Sequence, residues 1–365
     1  MSERTINHES LYIFVKQVML KCGVLEAAAH YVADNLVLSN LRGIDSHGVG
    51  RVKRYVGGIK DGYIVPDARP KVIRENSVLA NLDARNGMGQ FAGVHGMDLA
   101  IDKARIQGIG LVTVFNSNHY GFAGYYSMRA LEYDLIGISL TNSEPLVVPT
   151  FGKDAILGTN PISIATPGSR NRPWVMDLAT SVVPRGKLEV YERLGEKTPH
   201  GWATDETGRS TEDPSRVLNN VLRGYGGGIL PLGGEGELHG GHKGYGLSMM
   251  VDVLTGVLSG SNFGPDVVFR RDGGIGHPRV GHFFMALDPA FFTELDDFKR
   301  RMDDYVDLLH TCAKAEGCPR IYVHGEKEFE MHGYREKNGI PLDASTVDSL
   351  QGFSEEFNVE LQFMT

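Results

Sequence analysis

Apolar positions along this chain fall into runs whose period alternates between helical and strand-like. Residues 11–20 read as a helix. Residues 25–41 read as a second, with Leu25, Ala29, Val32, Leu36 and Leu41 near one face and Gly43 as the expected stop. A short strand is expected over 77–82, a long helix over 90–107 ended by Gly108, and a buried strand over 110–115. A helix over 123–132, a strand over 135–141 and strand candidates at 161–166 and 174–176 follow. A strongly apolar helix over 245–258, a strand over 281–287, a long helix over 290–315 and a last strand over 320–323 complete the series. Strands interleaved with helices imply an α/β layered core. No strand is expected before Gly62, which suggests a helical lobe. The expected division is a helical part over 1–70, an α/β domain over 71–288, and a helical and strand part over 289–365 that completes the first lobe. The polar, turn-rich residues 198–215 read as an exposed excursion, and no internal repeat or low-complexity segment is visible.

With 365 residues and 41% hydrophobic content, the chain is long enough to bury a large core. A formal net charge of −8, without a basic block, argues against a nucleic-acid partner. No run of eighteen apolar residues is present to span a bilayer, and MSERTINHES lacks the apolar core of a secretory signal. The three cysteines, Cys22, Cys312 and Cys318, are odd in number and form no CxxC pair, so free thiols in a reducing, cytoplasmic compartment are expected. The 46 glycines gather at 224–246 and 273–281.

The segment RGIDSHGVGR, residues 42–51, carries the most chemistry. His47 can give or take a proton near neutrality. Arg51 can grip a carboxylate through two parallel hydrogen bonds, and the Ser46 hydroxyl can orient the ring or a substrate. If a helix begins near Gly48, then His47, Arg51 and Tyr55, spaced by four, form one polar stripe. The alternative is a solvated helix start capped by Ser46. Further polar loops follow apolar runs at 116–124, which contains His119, and at 141–145, 157–161, 176–181 and 241–246. The ends of strands in open α/β sheets are where ligands bind. Thr159 and Asn160 are candidate substrate contacts, and Lys243, at the start of the apolar helix, is a candidate phosphate ligand.

NGMGQFA, residues 86–92, has the G-x-G-x-x-A pattern of a dinucleotide-binding turn, but the next strand ends in Phe115-Asn116-Ser117-Asn118, without the acid that pattern needs. A turn with close helix packing is the better reading. Lys197 and Thr198 lack the spacing of a Walker loop, and His239 and His242 lack partners for a metal, so no metal is expected.

Taken in order, RGIDSHGVGR, NGMGQFAG, NSNHYGFAG, TNSEPLVVP, LGTNPISIATP, DLATS and GHKGYGLSMMVDVLTGVLSG resemble the malate/L-lactate dehydrogenases that are unrelated to the Rossmann type. The resemblance runs from about Leu11 to Glu326, and the motifs are most similar to those of the malate-specific members. It implies a mixed sheet flanked by helices, as in L-sulfolactate dehydrogenase and not a classical Rossmann fold, with a helical lobe. It further implies a homodimer that uses NAD, with NADP left open, to interconvert 2-hydroxy and 2-oxo acids, malate first among them. Lactate, sulfolactate, ureidoglycolate and cyclic imino acids are the alternatives within the family, and a cofactor-free acid–base lyase is the alternative outside it. By the resemblance, His47 is the proton donor and acceptor, with His119 assigned that role in some members. Ser46, Arg51 and Tyr55 stand on the substrate side. Ser143, Asp177, Leu178, Ala179, Lys243 and Gly244 match cofactor segments. His324, Gly325 and Glu326 sit where members often have Pro-Gly-Glu, a departure at His324. Malate's second carboxylate needs another cation, for which Lys153, Arg185 and Lys187 are the polar-loop candidates.

Overall fold

The computed structural model describes residues 4–268, 270, 271 and 274–364. Part of the glycine cluster at 273–281, and the extreme ends of the first and last expected segments, lie outside them. The N-terminal lobe opens with a short strand, β1 (Arg4–Ile6), where none was expected. Helices α1 (His8–Lys21), α2 (Glu26–Leu41) and α3 (Val52–Lys60) follow. The α/β region comprises β2 (Lys71–Glu75), β3 (Leu79–Asp83), α4 (Gly89–Gln107), β4 (Ile109–Ser117), α5 (Gly124–Arg129), β5 (Ile136–Thr141), β6 (Ile162–Thr166) and β7 (Trp174–Leu178). An insertion holds α6 (Arg185–Leu194), β8 (Ala203–Thr204), β9 (Ser210–Thr211), α7 (Pro214–Arg223) and β10 (Gly228–Ile229). Then come α8 (Gly241–Asp252), β11 (Arg270–Arg271), β12 (Gly274–Ile275), β13 (Val280–Leu287), α9 (Leu295–Thr311), α10 (Glu326–Asn338), β14 (Ile340–Leu342) and α11 (Ala344–Phe357).

The main sheet has the order β2-β3-β4-β13-β5-β6-β7. Only β3 and β4 run parallel, joined by α4; the other pairs are antiparallel, so the sheet is mixed. Helices α4 and α5 cover one face over a core that includes Met97, Ile101, Val112, Val114, Tyr126 and Phe284. The other face meets Val251 of α8 through Leu140, Ile162 and Phe283. A separate core unites α1, α2 and α3 with Ile340, Leu342, Val347 and Leu350, and β1 pairs antiparallel with β14. The late helix α9 lies elsewhere: Asp303 accepts the main-chain N–H groups of Ser169, Arg170 and Asn171, and Lys299 reaches Asp134.

Three expectations are corrected. Residues 320–323 form no strand; the chain passes β7 with one main-chain bond, from Val175 N–H to the His324 carbonyl (3.3 Å), before Gly325 at φ 95° turns it into α10. The helix expected over 290–315 begins only at Leu295, because Pro289–Phe291 forms a single 3₁₀ turn first. The 198–215 excursion contributes β8 and β9 to a three-stranded sheet, β10-β8-β9, and its Ala203 joins a small core with Val147, Leu188, Val217 and Ile229 from the segments around it.

His282 shows how the central strands are tied together. It is fully buried on β13, with Nδ1 2.7 Å from Thr141 Oγ1 on β5 and Nε2 2.8 Å from Ser117 Oγ on β4. Burial pushes its pKa down to about 3. The unfolded chain protonates this ring near pH 6.5 while the folded one stays neutral, so its contribution is complete above that pH and is lost as pH falls toward 3. The expected slope is about 1.4 kcal/mol per pH unit at most. Urea midpoints at pH 7 and 5 check this: His282→Asn should flatten the decline by about one proton.

Candidate active site

The SHG segment is a break between helices. Gly43, at φ 76°, ends α2, and Asp45–His47 makes one 3₁₀ turn. Gly48 is extended (ψ −159°) before a second 3₁₀ turn, Val49–Arg51, leads into α3. The helix expected from about Gly48 thus starts as a 3₁₀ turn at Val49 and becomes α at Val52, and the extended Gly48 takes His47 off the stripe expected with Arg51 and Tyr55. The cause is Asn40. Its Oδ1 accepts the Val49 N–H (2.8 Å), its Nδ2 donates to Asp45 (2.6 Å), and a Cβ on Gly48 would collide with its amide. Arg335 of α10 completes the clamp, donating to both Asp45 oxygens (2.6 and 3.0 Å) and to the Asn40 carbonyl (2.5 Å). Arg335→Met should cost about 1–3 kcal/mol, since it removes a charged donor from the Asn40 carbonyl and takes from Asp45 its cation partner. It should lower turnover too, because the loop it holds carries His47; urea denaturation and steady-state rates check the two effects.

Ser46 caps no helix. Its hydroxyl lies 2.9 Å from His47 Nδ1, and its carbonyl accepts from Arg51 Nε (2.6 Å). The His47 ring stacks on that of His119, with centroids 5.6 Å apart at 16°. His119 reaches this point because the loop after β4 is pinned under α4: Asn118 Nδ2 donates to the Asn86 and Gly87 carbonyls, and a Cβ on Gly89 would strike the main chain of Asn118 and His119. The G-x-G-x-x-A segment thus serves close packing, although α4 does link two parallel strands. Tyr55 joins the group through its hydroxyl, 2.8 Å from His119 Nδ1. Gln90 Nε2 donates to the same hydroxyl (2.6 Å), so the Tyr55 proton points at His119 Nδ1 and the His119 proton sits on Nε2. Burial holds the Tyr55 phenol up, at about 12, and therefore protonated.

The electrostatics of this cleft are cationic. Burial, then Arg51 and Arg54, push the His47 pKa down to about 3. Burial and Arg54 push His119 well below its ordinary value. Arg54, on α3, lies 3.6 Å from Glu144, whose pKa is raised by burial against the pull of Arg54, Arg185 and Arg51. Both rings are neutral at pH 7, facing guanidinium groups that attract anions.

A second set of predicted residues forms the facing wall. Ser143 Oγ accepts the Thr159 N–H (3.0 Å). Asn160 is fully buried; its Oδ1 accepts from Ser143 N–H (3.2 Å) and its Nδ2 donates to Ser248. Thr180 N–H donates to the Thr159 carbonyl (2.9 Å), which brings in the end of β7, where Asp177, Leu178 and Ala179 are half-buried. Asp177 Oδ2 accepts the Gly124 N–H (2.6 Å), and burial raises its pKa to about 6. Leu232 N–H bonds to the Thr180 carbonyl (2.8 Å), and Gly244 packs against Leu232 so closely that a Cβ would clash. Lys243 is exposed on the first turn of α8, which no side chain caps. His324 is exposed, with its ring edge-on to Trp174, and Gly325 is buried against Val175; both stand at the far side of β7 from the histidine pair.

The donor set suits a diphosphate-bearing cofactor, with uncapped helical N–H groups and an ammonium for the phosphates. Among the described residues, no group of three or more His, Cys, Asp or Glu is arranged to hold a metal ion. Arg54, Glu144 and Gln90 were not singled out from sequence. Arg54 carried a usable signal, three residues after Arg51. Glu144 and Gln90 lay inside motifs read for other residues. Of the suggested second-carboxylate cations, Arg185 acts on Arg51 and Glu144, whereas Lys153 and Lys187 are exposed.

A mixed sheet and a cleft of two neutral histidines and two arginines define a non-Rossmann α/β protein built for small acids. The model of the malate/L-lactate dehydrogenase family matches residues 6–351, and the chain belongs to that family. It is 48% identical to a malate dehydrogenase of Pyrococcus abyssi, over 97% of this chain and 95% of that one. It is 32% identical to an NAD(+) ureidoglycolate dehydrogenase of Escherichia coli O157:H7, over 88% of each. Its fold matches the crystal structure of malate dehydrogenase from Entamoeba histolytica with a TM-score of 0.94 and 39% identity, over 99% of this chain and 100% of that one. The mixed, helix-flanked sheet is thus that of a family of dehydrogenases, whose hydride chemistry belongs to a nicotinamide cofactor.

Proposed function

We propose that the protein interconverts malate and oxaloacetate with NAD. The observation that carries this reading is the convergence of His47, His119 and Arg51 in one cleft, on a chain nearly half identical to a malate dehydrogenase. Ser143, Asp177, Leu178, Ala179, Lys243 and Gly244 would hold the cofactor, with His324 and Gly325 flanking the far side of β7. When bound, the nicotinamide supplies or accepts the hydride at C2 of the acid. Arg51 pairs with the C1 carboxylate, its fork oriented by the bond from Nε to the Ser46 carbonyl. His47, neutral, takes the C2 hydroxyl proton at one ring nitrogen while Ser46 holds Nδ1. A bound acid partly offsets Arg51 and Arg54, raising the His47 pKa so that the ring can return the proton in the other direction. His119, with its proton on Nε2, stands as a fixed donor beside it. Thr159 completes the substrate side from the facing wall.

The test follows NADH oxidation at 340 nm against a panel of 2-oxo acids, repeated with NADPH. Oxaloacetate with NADH should be the fastest pair; a preference for pyruvate or for a cyclic imine moves the protein elsewhere in its family.

The same reading makes the protein a homodimer. Leu247, Met249, Met250, Val253, Val257 and Leu258 are exposed along α8 and the π-helical turn Val253–Val257, a larger apolar face than a solvated helix presents. A sedimentation mass of twice 40.0 kDa is expected. Among the described residues no helix is long and apolar enough to cross a membrane. The three cysteines are unpaired, which suits the cytoplasm.

A further inference from the structure

The motif at 86–92 fails as a dinucleotide-binding turn, and the proposed reaction gives no task to the one polar side chain in its helical part, Gln90. Gln90 is the second residue of α4 and is fully buried. It reaches the cleft because α4 begins almost in contact with the loop after β4: a Cβ on Gly89 would lie 2.3 Å from the Asn118 carbonyl oxygen and 2.5 Å from that of His119. Its amide makes one hydrogen bond, from Nε2 to the Tyr55 hydroxyl (2.6 Å), while Oε1 is buried without a partner. Buried amides normally satisfy both ends. An apolar side chain of similar size would fill the space without an orphaned oxygen, so packing alone does not account for an amide here.

The Tyr55 hydroxyl is buried too, and it stands 2.8 Å from His119 Nδ1. A phenol has a single proton to give. With Gln90 supplying a hydrogen to the Tyr55 oxygen, that proton goes to His119 Nδ1. With an acceptor in place of Gln90 it would go the other way. His119 Nδ1 would then carry the hydrogen, and Nε2 would be left bare. One buried amide therefore decides which face of the His119 ring donates.

We infer that Gln90 is a positioning residue that acts through Tyr55: it fixes the direction of the Gln90–Tyr55–His119 chain and so holds the two stacked histidines in different roles. His119 is kept as a hydrogen-bond donor to a substrate oxygen, and His47 is the ring that exchanges the proton. Two neutral imidazoles with centroids 5.6 Å apart are otherwise interchangeable, and both could turn a lone pair toward a carbonyl oxygen that needs a donor. Helix α4, packed between the parallel strands β3 and β4, gives the amide a rigid base. The inference rests on the reaction proposed above, in which His119 faces the substrate.

The experiment has a spectroscopic and a kinetic arm. In the NADH complex of wild type labelled with ¹⁵N-histidine, at neutral pH, the His119 signal (identified by its loss in His119→Asn) should show a protonated Nε2 and a bare Nδ1. Tyr55→Phe and Gln90→Leu should each lower kcat about fivefold, the value of one neutral hydrogen bond, with KM for oxaloacetate and NADH affinity close to wild type. Because Gln90 works through Tyr55, adding Gln90→Leu to Tyr55→Phe should cost nothing more. Gln90→Glu keeps the length of the side chain, but once ionised it can only accept. It should lose kcat about 100-fold, the cost of a missing donor to a developing oxyanion, along an alkaline limb that Gln90→Leu lacks. A hydrogen on His119 Nδ1 in wild type, full additivity of the two apolar variants, or a Gln90→Glu enzyme no slower than Gln90→Leu at every pH overturns the inference and leaves the dehydrogenase reading intact. A wild type that reduces no 2-oxo acid overturns both. If Gln90→Leu does not fold, the wild-type spectrum and the pH profile of Gln90→Glu decide.

Discussion

His47→Ala should lower turnover by about a hundred- to ten-thousand-fold, the range expected for loss of a positioned general acid–base, while NADH affinity stays near wild type. The expectation comes from geometry first. His47 is held by Ser46 at Nδ1, which leaves its other nitrogen for a substrate oxygen. It sits in a loop locked by Asn40, Asp45 and Arg335, so the ring does not have to be ordered at each turnover. The proton inventory agrees: in the free cleft, burial and two guanidinium groups keep the ring neutral, the form needed to accept a hydroxyl proton. His119 is the competing base, but the Tyr55 hydroxyl points its proton at His119 Nδ1, which makes that ring a donor through Nε2. Stopped-flow binding of NADH beside steady-state kinetics separates the roles. Near-normal turnover in His47→Ala, with a dead His119→Ala, would reverse the assignment.

Arg51→Leu should reduce kcat/KM for the acid by about a hundredfold or more. Removing a charged partner alone accounts for roughly tenfold to a hundredfold, and misplacement of C2 adds to it. Arg51 is unusual among the site residues in acting twice. In the proposed reaction its fork pairs with the substrate carboxylate, and its Nε bonds the Ser46 carbonyl at 2.6 Å, within the loop that carries His47. The variant should therefore lose kcat as well as affinity. Arg51→Lys should recover little, because an ammonium cannot make the parallel pair that a guanidinium makes with a carboxylate. A rise in KM with kcat unchanged would mean that Arg51 binds the acid without positioning it.

Much of the main sheet was legible because its strands are short apolar runs punctuated by glycine: β4, β5, β6 and β13 lie within a few residues of where periodicity puts them. Helix α4 ends at Gly108, at φ 81°, as a stop signal of that kind demands. The misses have a common cause. The 320–323 run has strand-like composition, but a strand needs a neighbour, and the chain there leaves the edge of the sheet after one bond. The polar stretch at 198–215 looked solvated because its apolar partners, Val147 and Val217 among them, come from segments distant or beyond it in sequence. The stripe through His47, Arg51 and Tyr55 assumed an unbroken helix, which Asn40 prevents from nine residues away.

For the site, local order along the chain was enough to nominate His47, Arg51, His119, Ser143, Asp177 and Lys243, since motif identity depends only on neighbouring residues. Which of these face one another was decided by the fold. The stacking of His47 on His119, the Tyr55 proton that sets a tautomer, and the Arg54–Glu144 contact join residues 64 to 90 positions apart. Charge type and spacing are properties of the chain, whereas pKa, donor direction and distance arise only when burial removes water and packing sets which groups replace it.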